Sequence, residues 1–574
     1  MRIALAQTNP TVGDITGNAT DIARMIARAR EGGADCVLFP ELAICGYPPR
    51  DLLLQGGFLK ACTSAAKELG EKHSDGLTVI FGCPLPVGGS DAKAPSGITN
   101  SLLAYRDGKM LDYYDKRLLP TYDIFDEDRY FTPGDRTVVI DVKGTKVGLT
   151  ICEDLWKGED AGFASHYADA SDPVAQVVKA GAEVILSASA SPFVLGKSPR
   201  HRAILKKHAM THRVYVASVN QVGGNDELIF DGHGAAFSPS GELIAAGAGF
   251  EEALTFVDVP TSLQAVADPV AIRGDEEHLF RALVLGVRDY CRKTGFRTAL
   301  LGLSGGIDSA VTAALACAAL GPEHVTGVAL PGPYSSEHSK TDAYDLAKRL
   351  GMKCITVPIA PMFEGAVRTI DPAMNAVGAS TLGEKLPDLA EENLQSRLRG
   401  TTLMALSNRT GAIVLTTGNK SELAVGYCTL YGDMNGGLAV LCDLTKNWVY
   451  RLARWMNAHP GACGFAAAPI PDGSIEKPPS AELRPDQKDQ DSLPPYDVLD
   501  EILNRYVEKR QSAGEIIREC KGRDGFEEAT VRRIVRLTDV SEYKRKQAAL
   551  GLKVTGVAFG SGRRMPIAQG WRSP

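Results

Sequence analysis

The run Leu300-Leu301-Gly302-Leu303-Ser304-Gly305-Gly306-Ile307-Asp308-Ser309-Ala310 restricts what this chain can fold into more than any other stretch. Apolar residues over 298–303 read as a buried strand, the alanine-rich 310–320 reads as the helix that follows, and 304–309 is the turn between them. Such a turn is an anion site. Ser304, Gly305 and Gly306 leave backbone N–H groups uncovered, Ser309 adds a hydroxyl, and the helix start brings the positive end of its dipole. Phosphate is the expected guest.

No lysine stands at the helix entrance, so this is not the Gly-Lys-Ser/Thr loop of the P-loop NTPases; Asp308 occupies that region. A carboxylate beside phosphates needs a cation between them, which predicts Mg²⁺ at Asp308. The run resembles the Ser-Gly-Gly-x-Asp-Ser loop of the ATP pyrophosphatases, which cleave ATP between its α and β phosphates to leave an adenylate and pyrophosphate. The resemblance implies ATP binding by Gly302, Leu303, Ser304, Gly305, Gly306, Ile307, Asp308 and Ser309, with Asp308 also a metal ligand.

At 574 residues the chain is too long for one core and predicts two or more domains. A net charge of −6, with no contiguous basic stripe before the C-terminal region, argues against nucleic acid as a partner. The 12 cysteines stand singly, without a C-x-x-C pair. Met1-Arg2-Ile3-Ala4-Leu5-Ala6-Gln7 alternates like a strand and lacks the apolar core of an export signal, so reduced thiols and a cytoplasmic location are expected. No apolar run reaches the length of a membrane span.

Up to about residue 259 short apolar strands alternate with helical stretches, the pattern of an α/β layered domain. Three strand ends carry chemistry: Glu41 in Phe39-Pro40-Glu41-Leu42, Lys116 in Tyr114-Asp115-Lys116-Arg117, and Cys152 in Ile151-Cys152-Glu153-Asp154. A thiol becomes a nucleophile only when its proton is removed; Glu41 can take it, while Lys116 holds negative charge nearby. The oxyanion formed on attack at an amide needs donors, for which Lys116 and the backbone N–H after Cys152 are candidates. Together with Gly46-Tyr47 and Asn220-Gln221-Val222-Gly223, these residues resemble the nitrilase (carbon–nitrogen hydrolase) superfamily over the whole first half. The resemblance implies Glu41 as general base, Lys116 as electrostatic stabiliser and Cys152 as the residue that carries a thioester. It further implies glutamine binding by Tyr122, by Ser191 of Ser191-Pro192-Phe193, and by Lys197, which would meet the α-carboxylate.

Prolines and small residues over 258–273 end this pattern, and the boundary is expected near residue 270, giving domains 1–262 and 270–574. Beyond the phosphate loop, strands are expected at 325–330, 354–359 and 413–416, alternating with helices as in a parallel sheet. Glu391-Glu392-Asn393-Leu394-Gln395-Ser396-Arg397 and Thr417-Gly418-Asn419-Lys420-Ser421-Glu422 resemble signatures of the NAD synthetases. That likeness implies deamido-NAD⁺ contacts by Asn393, Glu422, Lys544 and Arg397, an ATP contact by Thr417, and Glu422 as a second Mg²⁺ ligand. Asp433 and Lys446 are further matches; Lys446 could neutralise phosphate charge in a loose transition state. The polar, proline-rich 478–495 reads as a loop or lid.

Both halves in this order resemble the family of glutamine-dependent NAD synthetases. The likeness implies a ligase that adenylates deamido-NAD⁺ with ATP and Mg²⁺ and amidates it with nitrogen from glutamine. It implies an α/β chain made of a nitrilase-like α-β-β-α sandwich and an adenine nucleotide alpha hydrolase-like, Rossmann-like parallel-sheet domain. It also implies a homo-oligomer, a dimer through the synthetase halves or an assembly as large as an octamer. Two other readings stay open at this level. The same loop serves asparagine, GMP and argininosuccinate formation and tRNA thiolation, and an adenylate-binding regulatory protein could keep the first half as an inert scaffold.

Overall fold

The structure, a computed structural model, describes residues 1–88, 97–157, 167, 169–260, 265–382 and 388–574. It divides into two compact units, Met1–Asp275 and Glu276–Pro574. The domain end expected at residue 262 falls outside the described residues.

The first unit holds two six-stranded sheets. One runs, edge to edge, Ala253–Asp258, Arg2–Gln7, Cys36–Leu38, Thr78–Pro86, Ile98–Arg106 and Lys109–Asp115. The other runs Leu243–Ala246, Ala235–Phe237, Tyr215–Asn220, Val184–Ser189, Thr145–Ile151 and Val139–Val142. Strand periodicity decides what each face touches. On the first strand, Ile3 and Leu5 join Leu149, Ile151, Leu186 and Val219 of the other sheet in one buried cluster. Ala4 and Ala6 face the opposite way, onto Ile22, Met25 and Ile26 of the helix Ile15–Glu31. The second sheet does the same, packing Ile185, Val216 and Phe237 against Val177, Ile204 and Leu205 of the helices Pro173–Lys179 and Lys197–His212. The result is the α-β-β-α sandwich. Sheets buried on both faces need apolar residues throughout, which is why these strands read as continuous runs.

The second unit is built on a five-stranded sheet in the order Lys353–Thr356, Val325–Ala329, Ala299–Leu303, Ile413–Thr416 and Leu438–Ala439. Every neighbouring pair is parallel. Chain order reverses between Ala299–Leu303 and Ile413–Thr416, so a crevice opens there beyond the carboxyl ends of the strands. A helical cluster follows, in which Leu499, Ile502, Ile516, Val531 and Ile534 are buried together with Ala424 and Val425 of the helix Lys420–Val425.

Candidate functional site

Glu41, Lys116 and Cys152 follow three separate strands, Cys36–Leu38, Lys109–Asp115 and Thr145–Ile151, and come together as one buried group. Glu41 sits in a turn whose backbone is pressed against Gly82: a Cβ on that glycine would lie 2.1 Å from the Leu42 nitrogen. Leu42 itself has φ 49°, and Ile44 N–H donates to the Gly82 carbonyl at 3.1 Å, so the turn is held against a strand centre. The Lys116 ammonium, fully buried, donates to Glu41 Oε1 at 2.7 Å and to Glu127 Oε1 at 2.8 Å. Asn100 Nδ2 donates to Glu41 Oε1 at 2.7 Å, and the Ala190 N–H reaches Oε2 at 2.9 Å. Both Glu41 oxygens are therefore fixed.

Cys152 follows the strand Thr145–Ile151 and opens a tight 3₁₀ turn, Cys152–Leu155, with φ 42° at the cysteine itself. Positive φ on a non-glycine residue costs backbone energy and is retained where the surroundings over-determine it. Burial first, then the charge of Glu41, pushes the thiol well above its ordinary range, with Lys116 opposing. The resting group is a thiol, so its proton must leave as it reacts. Glu127 is pushed up to about 7, mainly by burial, although Lys116 pulls it down. Around the centre, Tyr122 donates its hydroxyl to Glu153 Oε2 at 3.0 Å, and Lys197 Nζ donates to Ser191 Oγ at 3.0 Å while lying 5.3 Å from the Trp156 ring centre. Ser191 and Lys197 also line a small cavity with Asn220, Asp231 and Arg202.

In the second unit a large cleft opens at the reversal of strand order. Gly302, Leu303, Ser304, Gly306, Ile307, Asp308 and Ser309 line one side, and Thr416, Thr417, Gly418 and Glu422 the other. Gly305 lies just behind, at φ 75°, where a Cβ would sit 2.4 Å from the Ser339 carbonyl oxygen. Ser309 Oγ donates to the Gly306 carbonyl at 2.9 Å, which shapes the loop at the start of the helix Ile307–Leu320. Asn419 caps the helix Lys420–Val425 by accepting from Glu422 N–H at 3.0 Å, and its Nδ2 donates to Asp308 Oδ1 at 2.9 Å. Lys446, buried, donates to Asp308 Oδ2 at 2.6 Å and Glu422 Oε1 at 3.1 Å. Burial first pushes the Glu422 carboxyl up, to about 7, against the pull of Lys446.

The two centres match two family models, carbon–nitrogen hydrolase over residues 2–268 and NAD synthase over residues 279–548. The glutamine-dependent NAD(+) synthetase of Synechocystis sp. is 46% identical over 573 residues, covering 99% of this chain and 98% of that protein. This chain belongs to the glutamine-dependent NAD(+) synthetases. A solved member of the family, the Acinetobacter baumannii synthetase in complex with adenosine diphosphate, is 36% identical, covers 100% of this chain and superposes with a TM-score of 0.72. The Cytophaga hutchinsonii synthetase, 22% identical with a TM-score of 0.82 and 99% coverage of this chain, shares the fold.

Set against the family pattern, the structure groups most of the expected residues and sets three apart. Asn393, Arg397 and Lys544 do not line the cleft. Asn393 Oδ1 accepts from Thr429 Oγ1 at 2.8 Å, and Lys544 Nζ donates to the carbonyls of Gly426 at 2.8 Å and Cys428 at 2.7 Å. Arg397 Nε reaches the Leu430 carbonyl at 3.2 Å, and Asp433 accepts from Thr429 N–H at 2.8 Å. Asn393, Lys544 and Arg397 brace one loop, 426–433, to which Asp433 itself belongs and which borders the cleft through Tyr427, Cys428, Gly432 and Asp433. The stretch 478–495 is a strap along the cleft: Glu482 accepts from Ser336 Oγ at 2.9 Å and Ser339 Oγ at 2.7 Å, and Gln395 Nε2 donates to the Leu483 carbonyl at 2.9 Å. Glu127 and Asn100 were not singled out from sequence. Glu127 follows the aperiodic 120–126, and Asn100 is one polar residue of a strand that shows its purpose only when Glu41 is seen opposite.

Proposed function

We propose that this chain makes NAD⁺ from deamido-NAD⁺, ATP and glutamine, releasing AMP, pyrophosphate and glutamate. The observation that carries the reading is that one chain holds two complete centres. A buried thiol stands with a fixed carboxylate and ammonium in the first unit, and a phosphate-type loop faces two carboxylates and a lysine in the second.

In the first centre Cys152 Sγ attacks the side-chain amide carbon of glutamine as Glu41 takes the thiol proton. Lys116, held between Glu41 and Glu127, is suited to stabilise the tetrahedral oxyanion. Collapse expels ammonia, with its proton returned from Glu41, and leaves a thioester that water opens to glutamate. Tyr122, Ser191 and Lys197 hold the amino-acid end, Lys197 meeting the α-carboxylate.

In the second centre the nicotinate carboxylate attacks the α-phosphorus of ATP, pyrophosphate departs and an acyl adenylate remains. Backbone N–H groups of 304–309 cradle the phosphates, and Thr417 contacts the nucleotide. Asp308 and Glu422 fit Mg²⁺: both offer hard oxygen donors, and the ion commonly uses one or two carboxylates and takes its other ligands from phosphates and water. When bound, Mg²⁺ supplies charge neutralisation at the departing phosphates. Lys446 adds a fixed positive charge, and Glu422 borders the dinucleotide. Asn393 and Lys544 serve that substrate through the loop they brace. Ammonia then attacks the adenylate carbonyl and AMP leaves.

The free state of all the cysteines suits a reducing, cytoplasmic setting, and no helix among the described residues is long and apolar enough to cross a membrane. By likeness to the family we assign a homo-oligomer paired through the synthetase units, which sedimentation would test. The central test compares NAD⁺ formation from deamido-NAD⁺ and MgATP with glutamine or ammonium chloride, for the native chain and Cys152→Ala. The variant is expected to lose glutamine use by roughly a thousandfold or more, the scale on which a covalent nucleophile acts, and to keep ammonia use. Glutamine use retained by the variant would remove Cys152 from the mechanism. No NAD⁺ from either nitrogen source would mean a different acceptor.

A further inference from the structure

Lys446 occupies an unusual position for a lysine in a phosphate cleft. Its ammonium does not reach out toward the opening. It lies between the two carboxylates assigned to the metal, 2.6 Å from Asp308 Oδ2 and 3.1 Å from Glu422 Oε1, and is 3% exposed. The lysine cannot easily move away as a backbone unit. It begins the helix Lys446–Ala458, its N–H donates to Ser421 Oγ at 2.9 Å, and the next residue's N–H donates to Asp500 Oδ2 at 2.9 Å. Ser421 Oγ in turn donates to Asp500 Oδ1 at 2.5 Å. The carboxylates are equally fixed, since Asn419 Nδ2 donates to the other Asp308 oxygen at 2.9 Å and Asn419 N–H points to Glu422 Oε2 at 3.4 Å. Tyr496 places its ring 5.3 Å from the ammonium on a further side. The flexible part is the four-carbon stem alone.

We propose that Lys446 is a built-in counter-ion that closes the divalent-cation site until nucleotide phosphates arrive. Asp308, Glu422 and the neighbouring Asp489 supply the negative charge here, and the Lys446 ammonium cancels part of it while standing where a divalent cation would have to enter, so a cation leaving water meets a positive neighbour in its own site. A nucleotide changes both sides of that balance. Its phosphates add negative charge and give the ammonium other oxygens to bond, which frees Asp308 Oδ2 and Glu422 Oε1 for the metal. The reverse follows at the end of a turnover. As pyrophosphate departs, the ammonium returns to its two carboxylates and the cation leaves with the product. The metal is thereby a passenger of the nucleotide, and the unliganded cleft does not collect free divalent cations. This rests on the assignment of Asp308 and Glu422 as metal ligands made above.

Mn²⁺ is the probe, followed by the electron paramagnetic resonance signal of the free ion, with the full-length chain. The native protein is expected to bind Mn²⁺ at this site at least tenfold more tightly with an ATP analogue whose α–β bridge is methylene than without nucleotide. Lys446→Met, which keeps the stem and removes the charge, is expected to bind Mn²⁺ without nucleotide at least tenfold more tightly than the native chain, and Asp308→Asn in that background is expected to abolish the gain. Lys446→Gln is the parallel variant should the methionine form fail to fold. Tight binding of Mn²⁺ by the native chain alone, or no gain in either lysine variant, overturns the proposal. The readout is independent of catalysis: a chain that showed this metal behaviour yet made no NAD⁺ would overturn the functional reading and leave the counter-ion in place.

Discussion

Asp154 stands two residues beyond the nucleophile, wholly buried, and its two oxygens accept from four donors. Oδ2 takes Ile151 N–H at 2.9 Å and the Tyr114 hydroxyl at 2.7 Å, while Oδ1 takes Leu118 N–H at 3.0 Å and Arg117 N–H at 3.2 Å. It therefore ties the strand exit that carries Cys152 to the segment just after Lys116. Asp154→Asn leaves the size unchanged but turns an amide N–H₂ toward groups that themselves donate. Loss of registry on the order of 1 Å between nucleophile and ammonium should lower glutamine-dependent kcat by about a hundredfold. Ammonia-dependent NAD⁺ formation, which belongs to the other unit, should not change. If only the melting temperature fell and glutamine-dependent kcat held, Asp154 would be a structural clasp and nothing more. Glu41, Lys116 and Cys152 were legible in the chain because each is a reactive type placed at a strand end. Glu127 and Asn100 were not, and Asp154 was legible only as part of the motif after Cys152 and not in its role, because a buried polar residue takes its meaning from donors far away in sequence.

The short helix Lys420–Val425 shows the same division at the level of elements. Its strand-turn-helix form is readable from apolar Ile413–Thr416 followed by the Asn419 cap, with Glu422 three residues on. What clamps it is not readable. Lys420, 3% exposed, donates to Thr555 Oγ1 at 2.7 Å and the Val557 carbonyl at 2.8 Å, pairs with Asp443 at 2.9 Å and also bonds Glu508. Removing one partner of a buried ion cluster leaves the others uncompensated, at a cost of about 3–5 kcal/mol. Lys420→Met should therefore lower the melting temperature of the synthetase unit and weaken ATP binding, because Asn419 and Glu422 ride on this helix. Calorimetry checks the first and nucleotide titration the second; a double variant that also carries Asp443→Asn should recover part of the lost stability. An unchanged melting temperature would mean that solvent replaces the ammonium. Other elements hid for related reasons. The hairpin Ile98–Arg106 and Lys109–Asp115 breaks its apolar pattern with Thr99, Asn100 and Ser101, which are buried at the Glu41 end. The helix Leu389–Thr410 was visible only from Glu391 onward, although Asp388 caps it and Glu391 closes the capping box.

At the scale of the whole molecule the chemistry is split between two compact units, each with its own core and its own centre. Ammonia is released in one and consumed in the other, and in neutral water it becomes ammonium, which has no lone pair with which to attack an adenylate. The adenylate is itself open to hydrolysis. A chain that holds both centres gains little from their fusion unless nitrogen passes between them out of contact with bulk water, and this predicts that the nitrogen used exchanges little with external ammonium. Isotopes decide it. Glutamine labelled with ¹⁵N at its side-chain amide is supplied together with an excess of ¹⁴N ammonium chloride, and the NAD⁺ formed is weighed by mass spectrometry. A passage keeps the ¹⁵N fraction of the product far above that of the ammonium in solution, whereas release to solvent makes the two equal. Cys152→Ala supplies the limit, since it can draw only on the ¹⁴N pool. An excess of ¹⁵N that shrinks as external ammonium rises would mean a passage open to exchange, and one that stays constant would mean a closed one, so the same experiment measures how tightly the two centres are coupled.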